Sequence, residues 1–212
     1  MSRNTIPLFP LSIVVFPGEE LKLHIFEPRY KQLVHDCLKE GISFGIPPYM
    51  EGKSLIYGTE LILRDVIKFN ENGTLDIRAK AIGWFEIVDF FKILHGKLYP
   101  GGVIKRNEWN ENGDITYSAK LITQIAELYR IMNIKNIEIP TAEEFKTYML
   151  GHKIGLNIEQ ELQLLAIPDE VDKQLFLIDH LQHLIPIVKE AENLRKKAEL
   201  NGHFQHILPP NV

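Results

Sequence analysis

Between Pro7 and Tyr30 the chain reads P-L-F-P-L-S-I-V-V-F-P-G-E-E-L-K-L-H-I-F-E-P-R-Y, and this run leaves a folding chain few choices. Pro7 and Pro10 stiffen an apolar entry segment, and Ser12 to Phe16 is a short β-branched run expected to be a strand buried in a sheet. Pro17-Gly18 then turns the chain, because proline presets φ at the first central position of a type II turn and glycine supplies the positive φ needed at the second. From Glu20 the residues alternate: Leu21, Leu23 and Ile25 lie on one side, Lys22, His24 and Phe26 on the other, the pattern of a strand with one core face. A helix is expected immediately afterwards. Pro28 suits its first position, where the missing N–H has no partner to lose, and Glu27 sets negative charge against the positive end of the helix dipole. Tyr30, Leu33, Val34, Cys37 and Leu38 then share one apolar stripe.

The string F-P-L-S-x-V-V-F-P-G-E-x-L-x-L-H-I-F-E-P-R-Y resembles the opening of the Lon substrate-binding domain. This is the N-terminal domain of Lon proteases, which also occurs as a free-standing protein and within cereblon. The resemblance implies an α+β fold, a PUA-like antiparallel β-barrel followed by a helical bundle. It implies no catalysis: in Lon proteases the ATPase and the Ser-Lys peptidase lie in later domains, and this chain is expected to end before either begins. Trp84, in Gly83-Trp84-Phe85, stands where the family typically carries an arginine.

Further along, Gly41 is placed to end the first helix in the left-handed conformation. Ile42 to Ile46 is extended, and Pro47 to Lys53 reads as a loop with two large side chains, Tyr49 and Met50. Gly58 to Phe69 and Leu75 to Phe91 form long strands joined by Asn70-Glu71-Asn72-Gly73, a hairpin signal. Leu75, Ile77, Ala79 and Ala81 alternate with Asp76, Arg78 and Lys80, so one face of this sheet or barrel wall is wet. Leu98 to Trp109 reads as a further strand.

Helices then take over. Leu121, Ile122, Ile125, Leu128, Tyr129 and Met132 are spaced as a buried stripe. Thr141-Ala142-Glu143-Glu144 is a capping box expected to start a second helix, which Gly151 to Gly155 breaks. Asn157 caps a short helix through Ala166, and Pro168-Asp169 opens another to about Leu184. Pro186 restarts or kinks the chain into a last helix bearing Ile187, Val188, Ala191, Leu194 and Ala198 on one side, expected to pack as a terminal helix. The division is therefore residues 1–114 for the β-barrel part and 115–212 for the helical part of one domain.

The bulk composition narrows the function classes. With 212 residues, 45% hydrophobic and 25% charged, this is an ordinary globular chain, and a net charge of -4 lacks the basic footprint that phosphate neutralisation requires. A single cysteine, Cys37, excludes an internal disulfide and a multi-cysteine zinc site, and its place on the helix stripe makes it a core residue. Arg3 followed by the apolar run Ile6 to Phe16 has the outline of a secretory signal, but its prolines and the absence of a small-residue cleavage site argue against one. No segment reaches the roughly 18 apolar residues needed to span a bilayer. A cytoplasmic location and no membrane partner are expected.

Strings that resemble catalytic motifs lack the context their chemistry needs. Gly41-Ile42-Ser43-Phe44-Gly45 matches G-x-S-x-G, yet a nucleophile elbow runs from strand to helix and this one runs from helix to strand. Gly52-Lys53-Ser54 resembles the end of a phosphate-binding loop, but the required first glycine is Pro47, which has no N–H to offer. His180 with His183, and His203 with His206, are pairs without further ligands, so no metal or other cofactor is expected. Trp84, Phe85, Phe90, Phe91 and Trp109, with Lys68, Arg78, Lys80, Lys92, Lys97, Lys105 and Arg106, could stack on and neutralise single-stranded RNA. A barrel core with a solvated outer face explains the same residues.

The resulting expectation is a non-catalytic module for unfolded or extended polypeptide, with a protease or chaperone as further partner. An RNA-binding PUA-like protein is the alternative, and an unrecognised hydrolase stands behind both. Pro48, Tyr49, Met50, Trp84 and Phe85 are the candidate polypeptide contacts. Pro17, Gly18, Phe26, Glu27, Pro28, Arg29 and Tyr30 are expected to be structural pins, with Phe26 buried and worth about 3 to 5 kcal/mol on truncation. The sequence leaves the oligomeric state open.

Overall fold

A computed structural model of the chain describes residues 4–50, 53–54, 56–135 and 138–203. In chain order the elements are β1 (Thr5–Pro7), β2 (Glu20–Ile25), α1 (Pro28–Glu40), β3 (Phe44–Ile46), β4 (Tyr49–Met50), β5 (Lys53–Ser54), β6 (Tyr57–Phe69), β7 (Leu75–Phe91) and β8 (Gly101–Asn107). They continue with α2 (Ile115–Ile131), a 3-10 segment (Thr147–Lys153), α3 (Ile158–Ala166) and α4 (Glu170–His203). The chain forms two compact units, one of Met1–Asn110 with Tyr148–Pro168 and one of Glu111–Thr147 with Asp169–Val212.

The first unit is built on an antiparallel sheet in the order β1-β8-β7-β6-β3, with β2 also paired to β7. The long β6–β7 hairpin is its spine, closed by a turn in which the Gly73 N–H reaches the Asn70 carbonyl at 2.9 Å and Gly73 takes φ +74°. The expected barrel does not close. Among the described residues its two end segments meet through isolated parallel bridges, Leu8 with Gly45 and Leu11 with Pro48, and not through a continuous ladder. Pro7 and Pro10 on one segment, and Pro47 and Pro48 on the other, lack the N–H groups that a continuous ladder would use.

The opening run behaves as its chemistry demands, with one correction. Glu19 N donates to the Phe16 carbonyl at 3.1 Å across Pro17-Gly18, and Gly18 adopts φ +92°. Val14, Val15 and Phe16 are buried, but Ser12 to Phe16 is not a strand, and Ser12 and Ile13 are exposed. Its backbone is satisfied by side chains instead of a ladder: the Thr59 hydroxyl donates to the Val15 carbonyl, and Phe16 N donates to Glu19 Oε2 at 2.9 Å. α1 starts at Pro28 and ends at Gly41 with φ +65°. It buries Tyr30, Leu33, Val34 and Cys37 against Ile25, Phe44, Leu61, Ile77 and Ala79, whereas Leu38 is exposed. Phe9 stacks on Tyr30 with centroids 3.8 Å apart. Burial, with the charges of Asp36 and Glu40 nearby, pushes the Cys37 thiol up to about 12, so it is inert at neutral pH.

Residues 148–168 group with the sheet. Tyr148 stacks on Phe16 at 5.0 Å, and a Cβ on Gly151 would lie 2.4 Å from the Phe16 ring, so glycine is what lets the segment approach. His152 sits between two carboxylates, its Nδ1 2.7 Å from Glu161 Oε1 and its Nε2 3.2 Å from Glu19 Oε2. The hydrogen bond to Glu19, opposed by burial and joined by the one to Glu161, raises the imidazole to about 9. Because this folded value lies above the unfolded 6.5, the clamp stabilises fully below about pH 6.5 and its contribution is lost as pH rises through about 9. Urea midpoints of the wild type and His152→Gln, measured from pH 6 to 9.5, are therefore expected to converge with rising pH; a constant gap would show that His152 acts by packing alone.

In the second unit α2 is capped by Asp114, which accepts from Thr116 N and Tyr117 N, and it buries Leu121, Ile125, Leu128 and Tyr129. α2 and α4 are the only α-helices among the described residues of this unit, a pair where a bundle was expected. Thr141 begins no α-helix: its hydroxyl bonds the Glu144 side chain at 3.1 Å in a turn that leads to the 3-10 segment. α4 runs unbroken through Pro186, which is exposed, so water can satisfy the carbonyl that proline leaves free. Ile187, Ala191 and Leu194 are exposed along it, contrary to the expectation of a packed terminal helix.

Candidate functional site

The turn end of the β6–β7 hairpin carries an open cleft of about 590 Å³ lined by His24, Lys68, Phe69, Asn70, Glu71, Asn72, Thr74 and Asp76. The elements that make it follow from the register. β2 pairs with β7 so that His24 faces Asp76, and β6 pairs with β7 so that Lys68 also faces Asp76, which brings three side chains from three strands together. His24 Nδ1 lies 2.6 Å from Asp76 Oδ1, and Asn70 Nδ2 donates to Asp76 Oδ2 at 3.2 Å. These two bonds hold the Asp76 carboxyl below the usual carboxylate range. Asn72 accepts from Thr74 N at 3.1 Å and from its hydroxyl at 2.8 Å, so the floor of the turn is internally satisfied.

Apolar surface flanks this polar floor. Phe69, the last residue of β6, is 71% exposed, and Phe26, just past the end of β2, is 62% exposed. The Phe26 ring stacks on His24, one of the lining residues, with centroids 6.4 Å apart. Large apolar groups this exposed commonly mark contact surfaces when they gather beside polar groups. Phe26 is therefore not the buried pin expected from the sequence. That it shares a side with Lys22 and His24 was readable from the alternation, but not that this side stays uncovered; for Phe69, a strand's last residue has no following partner to show which side is covered.

The residues nominated as polypeptide contacts are divided by the fold. Tyr49 is 42% exposed and Met50 half-buried in the β4–β5 pair, where the Tyr49 N–H donates to the Leu11 carbonyl at 2.7 Å and its carbonyl accepts from the Ser12 hydroxyl at 3.0 Å. Glu51 and Gly52, in the middle of that loop, lie outside the described residues, as does His206, and with them the Gly52-Lys53-Ser54 string and the His203 pair. Pro48, Trp84 and Phe85 are buried. Trp84 packs edge-on against Tyr57 at 5.8 Å. Phe85 fills the space left by two glycines: a Cβ on Gly45 or Gly58 would lie 2.5 or 2.7 Å from its ring tip. Of the structural set, Glu27 pairs with Arg29 at 2.8 Å, the Arg29 guanidinium lies 4.6 Å from the centroid of the Tyr30 ring, and Tyr30 is buried.

Elsewhere, polar clusters serve packing. Glu60, buried, receives Arg106 Nε at 2.7 Å, Arg106 Nη2 at 2.8 Å and the Ser43 hydroxyl at 2.5 Å, so the serine of the G-x-S-x-G string is committed to a structural carboxylate. Among the described residues no group of three His, Cys, Asp or Glu could hold a metal ion, and no helix is long and apolar enough to cross a membrane.

No curated relative matches the chain. Among solved structures, a Lon N-terminal domain protein from Xanthomonas campestris is 25% identical with a TM-score of 0.66, covering 82% of this chain and 97% of its own. The N-terminal domain of the Mycobacterium avium complex Lon protease, at 16% identity, shares the fold with a TM-score of 0.63, covering 84% of this chain and 98% of its own. The profile of the ATP-dependent protease La (LON) substrate-binding domain matches residues 5–183, from β1 into α4, and the chain belongs to the LON substrate-binding domain family.

Proposed function

We propose that the chain recognises extended, apolar polypeptide through the aromatic-flanked cleft at the turn of the β6–β7 hairpin, and holds such clients or delivers them to a protease or chaperone in the cytoplasm. The observation that carries this reading is the pair of exposed phenylalanines, Phe26 and Phe69, beside the His24–Asp76 pair in a family described by substrate binding. Tyr49 and Met50 offer a second contact. The reading assigns no ATP hydrolysis and no peptide cleavage to these residues. A cleft this open supports modest affinity: burying exposed aromatic surface is worth about 25 cal/mol per Å², from which the cost of ordering a flexible client is subtracted. Dissociation constants on the order of micromolar follow. The alternative of RNA draws no support from the family.

The test is a titration of the full chain with a reduced, carboxymethylated polypeptide and with single-stranded RNA at two salt concentrations. The polypeptide is expected to bind with little salt dependence, and Phe26→Ser with Phe69→Ser is expected to weaken it about tenfold or more. Tyr49→Ser with Met50→Ser measures the second contact. Tight RNA binding that weakens steeply with salt, as release of condensed cations requires, would reverse the class of ligand.

A further inference from the structure

β2 pairs with β7 at six consecutive antiparallel positions, from Glu20 opposite Lys80 to Ile25 opposite Leu75, with no bulge. By contrast, the β6–β7 ladder is interrupted by three irregularities. Among the described residues no other strand pairs with β2, and no backbone hydrogen bond of residues 20–25 reaches beyond β7. An antiparallel strand points its peptide groups to its two sides in alternation, so half of those in β2 face away from the sheet without a strand partner. Such an edge is a template for an added strand.

The side chains of β2 say what that strand would carry. Leu21 and Leu23 point toward the core yet are only half-buried, while Glu20, Lys22 and His24 are exposed on the outer face. Across β7, Glu20 meets Lys80 and His24 meets Asp76, both complementary, but Lys22 meets Arg78, and like charges directly opposite disfavour each other. Arg78 Nε has Asp65 Oδ1 at 3.4 Å on its far side. Lys22 makes no hydrogen bond or ion pair among the described residues.

We infer that the free edge of β2 receives an extended polypeptide strand with apolar residues at alternate positions, over Leu21 and Leu23, and with Asp or Glu at the intervening position beside Lys22. The inference rests on the polypeptide reading and names the class of segment it would take. Against a second copy of the chain Lys22 discriminates only in part, since self-pairing about residue 21 would set it opposite Glu20. Self-pairing about residue 22 sets lysine against lysine, and self-pairing about residue 23 sets Lys22 against His24.

The experiment uses the full chain and fluorescent peptides about nine residues long, enough to span the edge: alternating valine and glutamate, alternating valine and lysine, and the glutamate peptide N-methylated along its central residues. The glutamate peptide is expected to bind about tenfold tighter than the lysine peptide, N-methylation is expected to abolish binding, and bound peptide should slow amide exchange in residues 20–25. Lys22→Glu is expected to invert the preference and, by turning the like-charge pair with Arg78 into an opposite-charge one, to leave the melting temperature equal or slightly higher. Equal affinity of the two charged peptides, or indifference to N-methylation or to Lys22→Glu, overturns the edge assignment. If the carboxymethylated polypeptide binds and the glutamate peptide neither binds nor competes with it, the edge is wrong and the polypeptide reading stands; if neither binds, both fall.

Discussion

Phe85→Ala is expected to lower the unfolding free energy by about 3 to 5 kcal/mol, and Phe26→Ala to change it by less than about 0.5 kcal/mol. This reverses the roles the two residues have on sequence grounds. Phe85 is 0% exposed and its ring lies against the backbone of Gly45 on β3 and Gly58 on β6, together with Leu8 and Ile104. Paired strands cannot collapse into the space a lost ring leaves, so both the transfer term and the cavity term are paid in full. The reciprocal variant, Gly45→Ala, introduces a methyl at 2.5 Å from the same ring and is expected to cost about 1 to 3 kcal/mol by overpacking. Phe26 has solvent over most of its surface, with the His24 ring beside it. Urea midpoints for the three variants decide the matter. A Phe26→Ala loss as large as that of Phe85→Ala would return Phe26 to the core and remove it from the binding surface.

Glu170→Ala is the second large effect expected, about 3 to 5 kcal/mol, because it removes a buried carboxylate that accepts two hydrogen bonds and faces a buried amine. At the start of α4, Glu170 is buried; its Oε1 accepts from Thr147 N at 2.8 Å and its Oε2 from the Thr147 hydroxyl at 3.1 Å. The ammonium of fully buried Lys173 lies 3.5 Å from Oε2. Desolvation holds the Lys173 pKa below its ordinary value even with Glu170 in place, so removing the carboxylate leaves an amine whose charged form has lost its nearest counter-ion and a Thr147 N–H without its acceptor. The two losses separate by design. Glu170→Gln keeps an acceptor for Thr147 N while removing the charge, and adding Lys173→Met then removes the buried ammonium. The double variant is expected to be more stable than Glu170→Gln alone, read as a higher urea midpoint at pH 7; equal midpoints would mean that Lys173 finds its compensation elsewhere.

Local chemistry was legible wherever one residue type is the only good solution to a backbone requirement. Gly18, Gly41 and Gly73 hold positive φ where the turn, the helix end and the hairpin need it, and Asn157 makes its reciprocal cap with Gln160. The same kind of reading failed where a local signal competes with distant partners. Thr141 has the spacing of a cap but no helix to cap, since its hydroxyl is taken by the Glu144 side chain. Pro186 reads as a helix break, yet an exposed turn tolerates one missing hydrogen bond when the rest of α4 continues.

The candidate site shows the same division. Alternation placed Lys22, His24 and Phe26 on one side of a strand, and the N-E-N-G turn placed the end of a two-stranded hairpin, so all three strands forming the cleft were implicit in the order of residues, though not their pairing. What the sequence determined by itself was the periodicity of the long strands and helices, the turns at Gly18, Gly41 and Gly73 and the family motif, because these depend on φ, ψ and side-chain direction within a few residues. Only the tertiary structure decided which face is covered: that Phe85 lies beneath two glycines from other strands, that Phe26 and Phe69 are left in solvent, that residues 148–168 return to the sheet, and that the ends of the sheet meet through prolines without closing. Burial is set by residues far apart in the chain, and a period of two tells which side chains travel together without telling what, if anything, will lie on top of them.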